Sequence, residues 1–276
     1  WSDRMKKHKK LIIFLSIILF FIAVYFGIYL YARITPKLAI DGANGYYLYD
    51  ANGDLYTGTA SEDWIKLDDI SKNLVNATVS VEDKNFYKHH GFDYLRIAKA
   101  LFIVTTSGNK SQGASTITQQ YSKNLFLDFD KTWERKIKEA WLTIRLETHY
   151  SKDEILEGYL NTINYGGIFG IENASQYYFG KSAKKLNLAE ATILAGIPKN
   201  PSVYSPLVNE KKAKSRQKVI LDSMVKNKYI TQEEADEAYS TNLTYQSNEE
   251  QDSLKMMRYY QDAVMDELEK IDSIPA

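Results

Sequence analysis

The sequence predicts a mainly α-helical protein held by one transmembrane helix, with a short β-hairpin between the anchor and the helical body. Three features carry that prediction. From Leu11 to Ala32 run 22 residues without a charge. Beyond Ile70 the apolar residues recur at three and four positions, the spacing of one helix face. Four Ser, Thr or Asn residues are followed three positions later by Glu or Gln, namely Thr116 with Gln119, Ser151 with Glu154, Asn187 with Glu190 and Thr231 with Glu234. That is the spacing of a capping box at a helix start.

The 22 uncharged residues rise roughly 33 Å as a helix, enough for a hydrocarbon core of about 30 Å. The run exceeds the roughly 7 to 15 residues of a signal h-region and no small-x-small cleavage site follows, so residues 11–33 read as an anchor. Arg4, Lys6, Lys7, Lys9 and Lys10 precede it against Asp3 alone. They outweigh Arg33 and Lys37 and place the basic stub, residues 1–10, in the cytoplasm, with everything past about Thr35 outside. Tyr25, Tyr29 and Tyr31 gather at the outer end, where phenol rings favour the interface. The chain starts at Trp1 and is read as part of something longer.

Residues 34–66 form a linker containing the hairpin. Tyr46 to Tyr49 and Leu55 to Thr57 are its strands, and Asp50-Ala51-Asn52-Gly53-Asp54 its turn, with Asn-Gly chemistry at the bend. The helical body follows over 67–246. Ile70, Leu74, Ala77 and Val81 mark one helix, and Leu95, Ala98, Leu101, Phe102 and Thr105 the next. The second is broken by the glycine- and serine-rich stretch Ser107 to Gly113. A long amphipathic helix is expected from Thr132 to Thr148, with Trp133, Ile137, Ala140, Trp141 and Ile144 as the seam that faces the core. Ile155, Leu156, Tyr159, Leu160 and Ile163 lie on another, and Leu188 to Leu194 on a third that Gly196 and Pro198 stop. Residues 247–276 read as a charged linker and a final helix, striped by Leu254, Met257, Val264, Leu268 and Ile271, that leads toward a further domain.

Composition excludes several classes of function. With 44% apolar and 25% charged residues the chain is no disordered tail, and with no cysteine it has no thiolate metal site or thiol nucleophile. Its 35 basic and 35 acidic residues become 30 and 34 once the first ten residues are set aside. A nucleic-acid partner bound by bulk positive charge is therefore not expected.

The chemistry-bearing residues fall into two groups. The helix ending near Val81 delivers Glu82 and Asp83, followed by Phe86, Tyr87, His89, His90 and Gly91. A carboxylate at the negative end of a helix dipole and beside aromatic rings is expected to hold its proton more readily, which suits a general base. Taken alone, the same pair reads as solvated helix-end acids. His89 and His90 are adjacent and point apart, so they make a poor chelating pair, and one of them is expected to fix the loop by hydrogen bonds. With the other histidines at His8 and His149, no zinc spacing appears.

The second group begins at Gly113-Ala114-Ser115-Thr116-Ile117-Thr118-Gln119-Gln120. Hydroxyl and amide groups at a helix start can cradle phosphate or sugar oxygens, or simply cap the helix. Lys123 returns to nearly the same face as Thr116. Lys131, Arg135, Lys136 and Lys138 continue a basic run that contains Glu139. By itself, Arg135 with Glu139 is the spacing of a surface ion pair. Together, two carboxylates, a cationic run and a membrane anchor fit a reaction at a sugar whose leaving group is a phosphate, one acid serving as base and the cations stabilising the departing charge.

Four segments, in order, resemble the peptidoglycan glycosyltransferases of glycosyltransferase family 51, which occur as monofunctional membrane enzymes and as the N-terminal module of class A penicillin-binding proteins. They are Glu82-Asp83-Lys84-Asn85-Phe86-Tyr87-Lys88-His89-His90-Gly91, Gly113 to Gln120 with Lys123-Asn124, Arg135-Lys136-Ile137-Lys138-Glu139, and Ile155-Leu156-Glu157-Gly158-Tyr159-Leu160-Asn161. Tyr177 to Lys181 and Leu188 to Ala191 extend the likeness, which covers about Leu67 to Tyr229.

The resemblance implies a lysozyme-like fold with a small jaw beside the membrane, and lipid II and the growing lipid-linked glycan as substrates. It implies that Glu82 takes the proton of the acceptor 4-hydroxyl, that a β-1,4 bond forms with inversion, and that undecaprenyl pyrophosphate leaves. Lys123, Arg135 and Lys136 would contact the pyrophosphate, and Ser115, Thr116 and Gln120 would line the donor cleft. Glu139 would serve catalysis by positioning that site or holding a divalent cation, Mg2+ or Mn2+. Asp83, Phe86, His89 and Asn161 would support the geometry. Other cell-wall synthesis proteins are expected as partners, at the cell membrane. Gly113-Ala114 stands where many members have two glycines, and Lys131 where several carry Arg, which forfeits a bidentate fork to phosphate. No transpeptidase motif occurs among these residues, so penicillin binding is not inferred. The alternative is a lytic hydrolase that uses Glu82 as its acid. The cationic run speaks against it, since a glycosidase has no pyrophosphate to stabilise. The segment Leu101-Phe102-Ile103-Val104 is the expected lipid contact.

Overall fold

The computed structural model describes residues 2–38, 40, 47–49, 55–58, 64–107, 115–126 and 132–246. In chain order its elements are α1 (Ser2–Ile34), β1 (Tyr47–Tyr49), β2 (Leu55–Gly58), α2 (Lys72–Glu82), α3 (Tyr94–Ser107), α4 (Ile117–Phe126), α5 (Trp133–His149) and α6 (Lys152–Thr162). They continue with α7 (Ile171–Phe179), α8 (Leu188–Leu194), α9 (Pro201–Tyr204), α10 (Pro206–Lys226) and α11 (Gln232–Ser240). The mainly helical class is borne out, and β1 and β2 pair antiparallel, Leu48 opposite Thr57, as the hairpin reading requires. Its turn, the Ser107 to Gly113 loop from residue 108 on, Lys131 and the helix over 247–276 lie outside the described residues. The chain divides into two compact units, Trp1–Ile40 with His90–Ile155 and Asp41–His89 with Leu156–Ala276.

All four capping boxes form. Thr116 and Gln119 exchange backbone-to-side-chain bonds of 3.1 and 3.2 Å, and Ser151 and Glu154 bonds of 2.7 and 3.2 Å. Asn187 with Glu190 and Thr231 with Glu234 do the same at the starts of α8 and α11. Each pair satisfies two backbone donors that a helix start leaves without intrahelical partners.

In the first unit, α1 carries the apolar stretch Ile12–Ile34, long enough to cross a membrane, with Ile12, Phe14, Leu19 and Phe20 exposed along it. The chain leaving α1 is stitched to α5 and its neighbours through its carbonyls. His149 Nε2 donates to Ala32 at 3.0 Å, Arg145 Nη2 to Pro36 at 2.6 Å and Tyr121 Oη to Ile40 at 3.1 Å. Tyr150 Oη donates to Leu38, and Lys37 lies 4.1 Å above the Tyr150 ring.

Helix α5 corrects one expectation. It forms over the expected residues, with Thr132 Oγ1 accepting from the Arg135 amide at 3.1 Å, but its buried residues are Glu139, Thr143 and Leu146. The seam that was expected to face the core instead leaves Trp133 86% and Ile137 70% exposed, while Trp141 stacks on Tyr31 of α1 at 5.5 Å. The reason lies in α4, which packs against α5 with a polar ridge. Gln119 and Ser122 are buried there, and a polar ridge needs polar partners. Ser122 Oγ lies 3.1 Å from Thr143 Oγ1, and Thr143 Oγ1 donates to the Glu139 carbonyl at 2.7 Å. Thr118 Oγ1 donates to Glu147 at 2.5 Å, and Lys152 Nζ donates to the same carboxylate oxygen at 2.7 Å.

The second unit has an apolar core. α2 packs on α8 and α10, and α10 also on α8, α9 and α11, burying Leu74, Ala77, Ile193, Leu194, Ile220 and Met224. Ala189, Leu221, Ala235 and Ala238 extend it beneath α11. The linker drawn to residue 66 ends in a docked segment held by α6. Glu157 accepts from Trp64 Nε1 and from the Leu67 amide, each at 2.9 Å. Asn161 accepts from the Ile65 amide at 3.0 Å and donates to the Ile65 carbonyl at 2.9 Å.

Gly170, at the start of α7, has φ 82° and ψ 146°, a region open essentially to glycine. A Cβ there would stand 2.8 Å from the Asn161 carbonyl oxygen, a helix backbone atom that cannot swing away. Gly170→Ala is therefore expected to cost at least about 2 kcal/mol, read as a lowered thermal midpoint of the detergent-solubilised protein. A wild-type midpoint would show that the loop relaxes.

Candidate functional site

The first unit gathers its charges on α4 and α5. Glu139 is 3% exposed, and a carboxylate so placed must be paired. Arg135 Nη1 donates to Oε2 at 3.2 Å, Lys136 Nζ donates to Oε1, and Gln119 Nε2 reaches Oε1 at 3.4 Å. Arg135 and Lys136 precede Glu139 by one helical turn, so all three side chains share a face. Lys123 lies close enough to feel all three. Burial holds its pKa below the ordinary lysine value; Glu139 opposes that shift, and Arg135 and Lys136 add to it. Three cations around one carboxylate leave a local surplus of two positive charges, in a chain that past residue 10 has 30 basic and 34 acidic residues. The bland reading of Arg135 with Glu139 as a surface pair is overturned, because the acid is buried and the cations are tethered to it.

The second unit gathers acids where α2 ends. Glu82 closes the helix and is partly buried, while Asp83, the C-cap residue, is 1% exposed. His89 Nε2 sits 2.9 and 3.0 Å from the two Asp83 oxygens, and Phe86 is buried beside it, edge-on to the Tyr87 and His89 rings. One histidine therefore does fix the loop, and His90 is exposed. Two further groups meet Glu82 that sequence reasoning missed. Arg216 of α10 places Nη2 3.4 Å from Glu82 Oε1. Tyr159 of α6 is fully buried, and its phenol is pushed well above the usual tyrosine value, first by burial and then by the charge of Glu82, with smaller contributions from Tyr165 and Asp83. It stays a neutral hydroxyl beside two acids.

The expected site residues thus sort into two sets. Lys123, Arg135, Lys136 and Glu139 come together in the first unit. Glu82, Asp83, Phe86 and His89 come together in the second. Asn161 lies in the second unit and clasps residue 65, a supporting role at the docked segment. Ser115 and Gln120 are half-buried at the start of α4. Thr116 is corrected: it is fully buried, its hydroxyl donates to the Gly91 carbonyl at 2.6 Å and accepts from the Gln119 amide. It caps α4 and does not line an open cleft.

A divalent cation at Glu139, implied by the resemblance, does not fit these residues. Both carboxylate oxygens already accept from Arg135, Lys136 and Gln119, and cations repel a metal ion. Among the described residues no group of three His, Asp or Glu side chains comes together.

The Transglycosylase family model matches residues 52–225. Penicillin-binding protein 2D of Bacillus subtilis is 51% identical over 252 residues, which cover 90% of this chain and 36% of that protein. Penicillin-binding protein 1F of the same organism is 42% identical over 227 residues, 80% of this chain and 31% of the relative. The chain spans about a third of the length of these relatives. The crystal structure of penicillin-binding protein 1A from Haemophilus influenzae aligns with 73% of this chain and 21% of that one, at 25% identity and a TM-score of 0.41.

Lys123 supplies a test of the first cluster. Its pKa lies below the usual lysine value, so its charge is lost as pH rises through a window beneath the normal lysine titration. An anion held by that charge should dissociate over the same window. Titration calorimetry with inorganic pyrophosphate should show affinity falling there, and Lys123→Met should lose that limb. The charged form is the one the fold disfavours, so at neutral pH Lys123→Met should leave the thermal midpoint unchanged or raised. Identical pH dependence in both proteins would show that Lys123 does not hold the anion.

Proposed function

The chain belongs to the Transglycosylase family, and from that premise we propose that it polymerises lipid II into β-1,4 glycan strands at the outer face of a membrane. The observation that carries the proposal is the cationic cluster of α4 and α5. A polyprenyl pyrophosphate diester bears two negative charges, and the cluster has two positive charges in surplus. Because Glu139 holds Arg135 and Lys136 in place before a ligand arrives, little reorganisation remains when charge develops on the leaving group.

In the reaction, Glu82 accepts the proton of the acceptor 4-hydroxyl while that oxygen attacks the anomeric carbon of the donor chain. The new carbon–oxygen bond forms on the face opposite the leaving group, the bond to the phosphate oxygen breaks, and the pyrophosphate departs with the electron pair. Lys123, Arg135 and Lys136 receive that charge. Asp83 and His89 keep the backbone at the end of α2 in shape. A lytic hydrolase would need an acid but no cationic cluster, and these residues give that reading no support.

The membrane enters through the first unit. The basic stub before α1 favours an N-terminus in the cytoplasm, with the residues past α1 outside. Tyr94, at the start of α3, hydrogen-bonds to Tyr25 of α1, nine residues before α1 ends at Ile34, or roughly 13 Å back along the helix. Leu95 and Phe102 of α3 are 83% and 67% exposed, as are Trp133 and Ile137 of α5 described above. Apolar surface of this kind, beside a helix that needs lipid, suits a unit that rests in the interface and meets a substrate whose tail never leaves the bilayer.

The test is to incubate detergent-solubilised protein with labelled lipid II and resolve the products on a gel. Wild-type protein should give a ladder of long glycans. Folded Glu82→Gln should lose at least about 10²-fold in turnover, the low end of general-base contributions. Unchanged polymerisation by that variant, or cleavage of preformed glycan without a ladder, would sink the proposal.

A further inference from the structure

Arg216 is a cation held against Glu82, and the fold goes to some trouble to hold it. Its side chain is 8% exposed while Glu82 is 17% exposed. The Tyr204 ring lies 6.0 Å from its guanidinium carbon. Gly196 makes room for its stem, since a Cβ there would come within 2.9 Å of Arg216 Cγ. Burial lowers its pKa from the ordinary arginine value, with the charge of Glu82 and then Tyr204 opposing that shift.

As a structural ion pair this arrangement is poor. The contact to Glu82 is a single bond of 3.4 Å where a guanidinium and a carboxylate can make two short ones. Its Nε is buried without a hydrogen-bond partner. A desolvated cation that forgoes available hydrogen bonds is a cost to stability, and such costs persist where function needs the group. Glu82 is a flexible side chain at the end of a helix, with Asp83 beside it, Tyr159 facing it from α6 and Arg216 from α10. Arg216 is cationic and so able to attract the carboxylate along one direction.

We infer that Arg216 is a positioning residue for the proposed polymerisation, fixing the rotamer of Glu82 and so the line along which its carboxylate meets the acceptor hydroxyl. The inference rests on Glu82 being the base. A misplacement of about 1 Å costs on the order of 10²-fold in rate, so a group that sets one rotamer matters even though it touches no substrate.

The experiment is a double-variant cycle in the lipid II assay. Arg216→Gln should lower kcat by about 10- to 100-fold with KM little changed, and Arg216→Lys should recover part of the loss. In a Glu82→Gln background, Arg216→Gln should cost nothing further, because there is no base left to aim. Gly196→Ala keeps the charge and crowds its stem, with closer contacts also to the Ile193 carbonyl and Ile220, at a backbone angle alanine accepts. It should repeat the pattern in milder form and serves if Arg216→Gln fails to fold. Multiplying losses in the double variant, or a raised KM with kcat unchanged, would overturn the inference. If Glu82→Gln itself retains full activity, the assignment of the base fails instead, and the two failures are thus told apart.

Discussion

A buried anion must be neutralised where it lies, and in the first unit that anion is Glu139. Its burial dictates how α5 is turned. The face carrying Glu139 and Thr143 has to meet the polar ridge of α4, where Gln119 reaches the carboxylate and Ser122 meets Thr143. Trp133 and Ile137, at the start of the apolar stripe of α5, are then left exposed. The same requirement brings Arg135 and Lys136 to the carboxylate from one turn earlier in the helix, so the pairing that makes Glu139 tolerable also prepares a cationic surface. An apolar residue at position 139 would pack at lower cost, but it would leave two long, flexible cations with nothing to order them.

The anchor is tied into this arrangement. Backbone carbonyls from Ala32 to Ile40 are met by side chains of His149, Arg145, Tyr150 and Tyr121, and Trp141 stacks on Tyr31. These bonds use carbonyls that the end of a helix and an extended chain would otherwise leave to water. They fix α1 against the two helices that carry Lys123, Arg135 and Lys136. In the second unit the same economy appears at Glu157 and Asn161, whose polar groups are used on the backbone of residues 65 and 67.

Much of this was legible in the sequence. The four capping boxes, the hairpin strands and the helix bounds near 72–82, 94–107 and 133–149 follow from residues within a few positions of one another, and local chemistry decides them. The two chemical groups were legible as well, because Glu82 with His89 and Lys123 with Glu139 each fall within one short stretch. Two readings failed for a shared reason. The exposure of Trp133 and Ile137 was decided by what α4 presents to α5, and the partial cover of Trp141 by Tyr31 of α1. The inward fate of Thr116 was decided by the Gly91 carbonyl, 25 positions away.

By itself the sequence determined a helix long and apolar enough to cross a membrane, a helical body, the ends of its helices and two groups of charged residues, since those depend on hydrophobic period, capping and charge within a turn or two. Only the tertiary structure decided which of those residues are buried, which cations are tethered, and that Arg216 meets Glu82 across 134 positions of chain. Nothing near Arg216 in α10 sets it apart from the lysines around it. An ion pair is a property of two side chains and the space between them, and sequence spacing measures that space only while both lie on the same helix.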